Sequence, residues 1–125
     1  MRLSALHGQP VVVTFWGIWC PPGREEFPQQ VAAYRKHHAS GLEIVAVNQL
    51  DQETDVKQVR AFAALYAALF SVVLDPRGRL RGAYRLVGLP TTVFIETAGT
   101  IALLVSGPVS AAEQERGLGM LLHPR

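Results

Sequence analysis

The chain has 125 residues and a formal net charge of +2, with 49% hydrophobic and 18% charged residues. Length and composition predict one folded domain over residues 1–125 and exclude a disordered chain. So small a charge predicts no nucleic-acid partner. The single cysteine, Cys20, excludes an intrachain disulfide and a multi-cysteine zinc site.

The apolar stretches of the sequence are short. None approaches the roughly 18 consecutive apolar residues that a membrane-spanning helix needs. The N-terminus has no hydrophobic stretch that ends in a small-residue cleavage site. We therefore expect no direct membrane insertion and no signal peptide in this chain.

The first part of the chain alternates between strand and helix patterns. Val11–Trp16 is uncharged and rich in β-branched and aromatic residues, which predicts a strand buried on both faces. A helix is predicted from Pro21-Pro22 to Ser40-Gly41, because apolar residues recur there with helical spacing. Similar patterns predict two further strands, Leu42–Val47 and Val72–Leu74, and a second helix from Val56 to Leu69 or Phe70. Between these elements, and after them, we expect a polar loop at Asn48–Thr54, a turn at Asp75–Gly78 and helical turns at Leu80–Tyr84.

The last part of the chain predicts a hairpin and a helix. Val93–Ile95 and Ile101–Val105 have strand composition and are separated by a glycine-containing turn. Ser110 is placed to cap a helix over Ala111–Leu122, although that helix contains two glycines. The order β-α-β-α-β, then β-β-α, predicts an α/β fold with a central mixed β-sheet and helices on both faces.

Cys20 lies just after the first predicted strand and just before the first predicted helix. At such a junction the unpaired N–H groups and the positive end of the helix dipole favour a thiolate over a thiol. Arg24 would strengthen this effect, whereas Glu25 and Glu26 would oppose it. A buried, unreactive cysteine is the alternative, and the position at the junction favours the reactive one.

The segment around Cys20 resembles a known active site. Phe15–Pro28, FWGIWCPPGREEFP, is similar to the active-site segment of thioredoxin-like proteins. It is most similar to the TlpA-like and ResA-like thiol-disulfide oxidoreductases, which overlap with the redoxin (AhpC/TSA-type) grouping. The resemblance covers most of the chain and implies a thioredoxin-like fold. It continues in order through Glu43–Asn48, Val73–Asp75 and Leu89–Ile95.

The sequence departs from that family at one decisive position, because the family's second active-site cysteine falls at Gly23. The resemblance implies that Cys20 is a nucleophile that attacks a disulfide and forms a mixed disulfide. Without a second thiol the chain would not complete a dithiol cycle alone. The resulting hypothesis is a monothiol thiol-disulfide exchange protein that needs no cofactor. Whether such a protein turns over as an enzyme stays open.

Further site residues follow from the same resemblance. Trp19, Pro22, Leu89 and Pro90 would line the substrate contact beside Cys20. Pro90 stands at the family's cis-proline position, where the backbone of the preceding residue can pair with an extended substrate strand.

The ResA-like branch has an acidic residue in the loop after the second strand. The matching place in this chain is near Asp51, with Glu53 as a neighbour. A carboxylate there could relay a proton to or from the thiol. The alternative is that both carboxylates lie on a loop and have no catalytic role, and the sequence favours neither interpretation.

Two other functions stay open at this point. One is a redox-inactive binding module that holds an extended partner segment in the groove beside Pro90. The other is a single-cysteine peroxide-reducing enzyme. Peroxiredoxins, however, carry a P-x-x-x-T-x-x-C pattern, and Val13 and Gly17 occupy its proline and threonine positions here. The four histidines show no ligand spacing with the cysteine, so no metal is predicted.

The expected partners are disulfide- or thiol-bearing proteins, or a small thiol such as glutathione. The resembled branch is mostly extracytoplasmic, which implies that location, with a cytoplasmic one as the alternative. Its members usually carry a β-hairpin before the segment that matches Leu3–Gln9. If that hairpin is missing, an uncovered sheet edge could pair with a second copy, so a homodimer is also expected.

A short basic run lies in the predicted turn and helical segment after the third strand. By sequence alone it is interpreted as a solvated turn more readily than as a docking patch. Its members are Arg77, Arg79, Arg81 and Arg85.

Overall fold

A computed structural model describes residues 8–17, 27–49, 56–66, 71–75, 77–85 and 88–122. These residues form the strands β1 (Val11–Trp16), β2 (Glu43–Asn48), β3 (Ser71–Leu74), β4 (Thr91–Ile95) and β5 (Ile101–Ser106). They also form the helices α1 (Phe27–His37), α2 (Val56–Tyr66), α3 (Arg79–Ala83) and α4 (Ala111–Leu122), and a 3-10 turn at His38–Ser40.

β1 is the central strand of a five-stranded sheet with the order β3-β2-β1-β4-β5. It runs parallel to β2 and antiparallel to β4, so that Val13 pairs with Val45 on one side and with Val93 on the other. β3 continues the sheet parallel to β2, and β5 continues it antiparallel to β4. The predicted α/β fold with a central mixed sheet is confirmed.

Both faces of β1 are buried, because its side chains alternate between two apolar clusters. Val12 and Trp16 belong to the larger cluster and pack there with residues of α1, α2 and α4. Val11 and Phe15 belong to the smaller cluster on the opposite face, against which Leu80 of α3 packs. Helices therefore cover both faces of the sheet, as the order of elements predicts.

Several strand ends meet at one edge of the sheet. β1, β2 and β3 run in the same direction, so their carboxyl ends lie together, and the antiparallel β4 begins there. We call this the carboxyl edge, and define it by the residues that follow β1, β2 and β3 and precede β4, namely Gly17, Gln49, Asp75 and Pro90. In α/β sheets the carboxyl ends of the strands are where ligands usually bind.

The observed boundaries differ from the predicted ones around β2. This strand begins and ends one residue later than predicted, because Asn48 pairs with Trp16 of β1 and with Leu74 of β3 despite its polar side chain. Before β2 the chain stops its 3-10 turn at Gly41, whose φ of 99° is a left-handed value that glycine adopts without strain. The predicted helix start at Pro21-Pro22 lies outside the described residues.

α4 has the predicted bounds, and its first glycine is required for packing. Gly117 approaches Phe94 so closely that a Cβ atom would overlap the ring, whereas a Cβ at Gly119 would have no neighbour within 4 Å among the described residues. The buried amides of Gln30 in α1 and Gln114 in α4 form reciprocal Nε2 to Oε1 hydrogen bonds of 3.4 and 3.1 Å. These contacts hold α4 against both β4 and α1.

Ser110 caps α4, as the sequence predicts. Its Oγ accepts a hydrogen bond from the Glu113 backbone N–H at 3.1 Å, and Glu113 Oε1 accepts one from the Ser110 backbone N–H at 3.0 Å. This reciprocal pair is a capping box. The backbone hydrogen bond from Ser110 is the main cause that lowers the pKa of Glu113 below its ordinary value of 4.5, and the hydroxyl of Ser110 adds to the effect.

Gly117→Ala and Gly119→Ala form a matched pair of variants within α4. The first drives a methyl group into the ring of Phe94, and overpacking of a buried site costs about 1–3 kcal/mol. The second places the same group in open space, where alanine stabilises a helix by about 0.5–1 kcal/mol over glycine. We expect urea denaturation to give a lower free energy of unfolding for Gly117→Ala and a higher one for Gly119→Ala. An equal gain in both would contradict the close approach of α4 to β4.

The capping box makes stability depend on pH through Glu113. Because its pKa is lowered on folding, its carboxylate stabilises the folded chain above the unfolded value of 4.5, and that contribution is lost as the pH falls through the lower folded value. The difference in unfolding free energy between wild type and Glu113→Gln should therefore be largest at neutral pH and shrink in acid. Ser110→Ala should cost about 1 kcal/mol at neutral pH. A Glu113→Gln difference that stays constant into acid would be the contrary result.

Candidate functional site

Strand pairing places the turn before β4 next to the end of β1. Phe15 of β1 lies opposite Thr91 of β4, and Trp16 lies opposite Asn48 of β2. The chain that leaves β1 through the buried Gly17 therefore starts between the end of β2 and the start of β4. This part of the carboxyl edge is the starting point of the segment that contains Cys20.

Three aromatic rings anchor the two ends of that segment. Trp16 ends β1 and Phe27 begins α1, and their ring centroids lie 5.0 Å apart in an edge-to-face arrangement. Phe62 of α2 contacts both, at 5.0 Å from Trp16 and 5.1 Å from Phe27. The two residues that flank the Cys20 segment, Trp16 and Phe27, therefore meet at one buried point.

Polar side chains are buried at the same edge. Asp75, which is 5% exposed, accepts a hydrogen bond from the Arg79 backbone N–H at 2.9 Å through Oδ1 and one from Gln49 Nε2 at 3.4 Å through Oδ2. The backbone N–H of Asp75 donates to Asn48 O at 2.9 Å, and that of Gln49 donates to Trp16 O at 3.0 Å. A buried carboxylate is tolerated where donors surround it, and this one joins β2 to the start of α3.

The peptide bond between Leu89 and Pro90 is cis, as the resemblance implies. Pro90 is buried directly before β4, and Leu89 is half-buried and packs against the smaller cluster. The Gly107 backbone N–H donates to Pro90 O at 2.8 Å, and the Thr91 hydroxyl donates to Gly88 O at 2.8 Å. Hydrogen bonds on both sides therefore hold this turn at the carboxyl edge.

The connection between β3 and β4 crosses the smaller cluster before it returns to this edge. The ring of Tyr84 contacts that of Phe15, with centroids 5.5 Å apart. Burial raises the pKa of the Tyr84 hydroxyl above its ordinary value of 10.0. Arg77, Arg79 and Arg85, which lie on this connection, are exposed.

Only some of the predicted site residues fall within the described ranges. Leu89 and Pro90 lie at the carboxyl edge, but the other predicted site residues lie outside the described residues, namely Cys20, Trp19, Pro22, Gly23, Asp51 and Glu53. Along the chain, Cys20 follows Gly17 by three residues and Asp51 follows Gln49 by two. Both segments therefore begin at the edge that holds Pro90, and the roles assigned to these residues stay predictions.

The buried polar residues of the carboxyl edge are not indicated by the local sequence patterns. Asn48 and Gln49 were expected in a polar loop and Asp75 in a turn, yet all three are buried. The signal that could have found them is their position, because each directly ends or follows an apolar strand of the parallel part of the sheet. Polar groups at such strand ends meet one another.

Two kinds of feature are absent from the described ranges. No helix among them has both the length and the apolar character to cross a membrane. In the same ranges, no three side chains of histidine, cysteine, aspartate or glutamate converge as metal ligands would.

Sequence comparison identifies the family. The model of the AhpC/TSA family matches residues 1–104. The thiol-disulfide oxidoreductase ResA of Bacillus subtilis is 36% identical over 110 residues, which are 88% of this chain and 60% of ResA. The thioredoxin-like protein YneN of the same organism is 34% identical over 118 residues, 94% of this chain and 68% of YneN. The chain thus spans 60% and 68% of the lengths of these two curated relatives.

Structural comparison agrees with the sequence. A Chlorobium tepidum protein assigned as the thiol:disulfide interchange protein DsbE has a crystal structure that matches with a TM-score of 0.85 and 31% identity, over 98% of this chain and 86% of the other. The chain therefore belongs to the AhpC/TSA family and, within it, to the ResA-like thiol-disulfide oxidoreductase branch with the thioredoxin-like fold.

Proposed function

We propose that this chain is a monothiol thiol-disulfide exchange protein in which Cys20 supplies the attacking sulfur. The observation that supports it most is the pairing of β1 with β4, which sets Phe15 opposite Thr91. At the carboxyl edge, the strand that leads into the Cys20 segment therefore ends beside the turn that contains Pro90. In a chain of this family, an attacking thiol and a bound substrate backbone would meet there.

The exchange step forms one S–S bond and breaks another. The Cys20 thiolate attacks one sulfur of a substrate disulfide, so that a bond forms between these two sulfurs and the substrate S–S bond breaks. The departing sulfur keeps the electron pair and takes up a proton. It is thereby reduced, while the Cys20 sulfur is oxidised in a mixed disulfide with the substrate.

The second half of the cycle needs a thiol from another molecule. The family resemblance implies that Gly23 stands at the position of a second cysteine, and the sequence has no cysteine besides Cys20. A thiolate of a partner protein or of glutathione attacks the substrate sulfur of the mixed disulfide and releases Cys20 in its reduced form. Neither a metal nor a cofactor is required for this exchange.

The substrate contact is proposed to be lined by Trp19, Pro22, Leu89 and Pro90. The Pro90 turn supports this, because a hydrogen bond from Gly107 at 2.8 Å holds its carbonyl at the carboxyl edge. A backbone that is already held in place can receive an extended polypeptide segment with little further ordering.

Asp51 is proposed as a proton relay for the thiol. Gln49 lies two residues earlier, is buried, and donates through Nε2 to Asp75 at 3.4 Å. The chain that leads to Asp51 therefore starts from a fixed point at the carboxyl edge. A carboxylate held near the thiol would take up its proton before attack and return one to the released sulfur.

The homodimer and the single domain over residues 1–125 stay predictions. In the described sheet β5 is an outermost strand, and it exposes Ile101 and Leu104 by 48% and 41%. Apolar side chains on an outer strand suit pairing with a second copy of the chain.

Cys20 should react quickly with the neutral disulfide dithiodipyridine. Rates measured by stopped-flow absorbance against pH should follow a thiolate whose midpoint lies below about 8.5, the pKa of free cysteine. Cys20→Ser provides the blank, and free cysteine provides the reference rate. A midpoint at or above the free value would count against Cys20 as an activated nucleophile.

Cys20→Ser also separates exchange from simple binding. A disulfide-bearing peptide should be captured covalently by the wild type and released by added glutathione, and capture should vanish in Cys20→Ser because serine forms no mixed disulfide. Capture that is unchanged in Cys20→Ser would instead favour the redox-inactive binding module.

Gly23→Cys should restore a dithiol cycle. The wild type should reduce insulin disulfides slowly with dithiothreitol as reductant, because each turnover needs an outside thiol to resolve the mixed disulfide. Gly23→Cys supplies an internal resolving thiol and should turn over faster by about tenfold or more. Gly23→Ser is the matched control without a thiol. If the cysteine and serine variants turn over equally, this fold has lost more than its resolving thiol.

A further inference from the structure

The structure changes the interpretation of the basic run between β3 and β4. Residues 77–85 contain four arginines and no acidic residue. Three of these arginines have described side chains, and all three are exposed. We call this set, Arg77, Arg79 and Arg85, the arginine patch.

The arginine patch is attached to the carboxyl edge by its backbone. The Arg79 N–H donates to Asp75 Oδ1 at 2.9 Å, directly after β3. At the other end, the Arg85 N–H donates to Gly82 O at 3.1 Å, and the chain returns to the edge at Gly88, three residues later. Both ends of the patch therefore lie close in sequence to residues of the edge.

Packing holds the middle of this connection against the end of β1. The Tyr84 ring rests on Phe15, the residue before Trp16, with centroids 5.5 Å apart, and Leu80 packs on the same cluster. The arginine patch therefore lies on a segment that packs beside the end of β1, the strand that leads to the Cys20 segment.

The charge of the patch is not neutralised within the described part of the chain. None of its three arginines forms an ion pair with another described residue. Asp75 lies close by, but it is buried and accepts hydrogen bonds from Arg79 N–H and Gln49 Nε2. Tyr84 adds no negative charge, since burial raises the pKa of its hydroxyl.

The other described acidic residues lie elsewhere in the fold. Glu43 begins β2 and Glu96 follows β4, so both are at the opposite edge of the sheet. Glu113 and Glu115 belong to α4, which packs on the other face. Five further acidic residues lie outside the described ranges, namely Glu25, Glu26, Asp51, Glu53 and Asp55.

We infer that the arginine patch selects disulfide-bearing polypeptides whose cysteine is flanked by acidic residues. This inference rests on the proposed exchange function of Cys20 and names the substrate class for that site. Exposed charges of one sign beside a reactive site raise the local concentration of oppositely charged substrates, with rate gains of roughly tenfold or more at low salt. The covalent step is unchanged, so the patch acts on the rate of encounter.

The test uses three synthetic peptides with the same cysteine core, flanked by aspartate, serine or lysine. Each peptide cysteine is joined to thiopyridine as a mixed disulfide. Cys20 attacks the peptide sulfur, the new Cys20–peptide S–S bond forms, and the bond to thiopyridine breaks. Thiopyridine leaves with the electron pair, is protonated to the coloured thiopyridone, and reports the second-order rate.

At low ionic strength the aspartate peptide should react about tenfold faster than the lysine peptide, with the serine peptide between them. Near 1 M salt, where the Debye length is only about 3 Å, the three rates should converge. The triple variant Arg77→Gln, Arg79→Gln, Arg85→Gln should bring the low-salt rates together in the same way.

Two further triple variants serve as controls. Arg35→Gln, Lys36→Gln, Arg60→Gln removes the same net charge from exposed positions on α1 and α2 and should keep the order of rates. Replacing the three patch arginines by lysine keeps the charge and should also keep that order. If the glutamine variant fails to fold, a loss of that order in the lysine variant would still overturn the inference.

The outcomes separate the two proposals. If the serine peptide and dithiodipyridine react with Cys20 but the three peptides react equally, the arginine patch is overturned and the exchange function stands. If the lysine peptide reacts fastest, the inference is also overturned. The preference for charge would then be assigned to the acidic residues outside the described ranges. If no reagent reacts with Cys20, the exchange function fails and the inference fails with it.

Discussion

The contact between Trp16 and Phe27 is the constraint on which the rest of the site depends. Residues 17–26 separate the two rings along the chain, yet their centroids lie 5.0 Å apart. Ordering a closed loop costs entropy that must be offset elsewhere. Each fully buried aromatic side chain contributes on the order of 1.5–3 kcal/mol, and edge-to-face geometry adds roughly 0.5–1.5 kcal/mol per pair. Because Phe62 touches both rings, α2 stabilises the same closure.

Next to the contact between Trp16 and Phe27, the carboxyl edge of the sheet consists of buried polar side chains rather than apolar ones. Asn48, Gln49 and Asp75 are buried, and their hydrogen bonds run to backbone groups and to one another across β1, β2 and α3. Such groups would be costly to bury without partners. Together they support the chain segments that leave the edge on either side, the one that leads to Asp51 and the one that carries the arginine patch.

Sequence patterns predicted the elements whose signals are local. Val11–Trp16 is a strand by composition alone, and Ser110 predicts the start of α4, which the structure confirms. Contacts between distant residues could not be predicted this way. Gln49 and Asp75 meet across 26 positions of the chain. Gly117 was a poor helix former by propensity, yet it is placed there to admit the ring of Phe94. Family resemblance, rather than local pattern, pointed to the cis bond before Pro90.

The burial of β1 on both faces has a consequence for strand register. A strand with one polar face resists slipping, because a shift by one residue would bury the polar side chains. Over Val11–Val13 a slip would exchange one valine for another, so this discrimination is weak in the first half of the strand. The register must be specified at the end, where the Trp16 ring fits against Phe27 and Asn48 Nδ2 donates to Trp16 O at 3.4 Å. Since one residue of slip corresponds to about 3.3 Å, the same two contacts determine how far beyond the edge the Cys20 segment can reach.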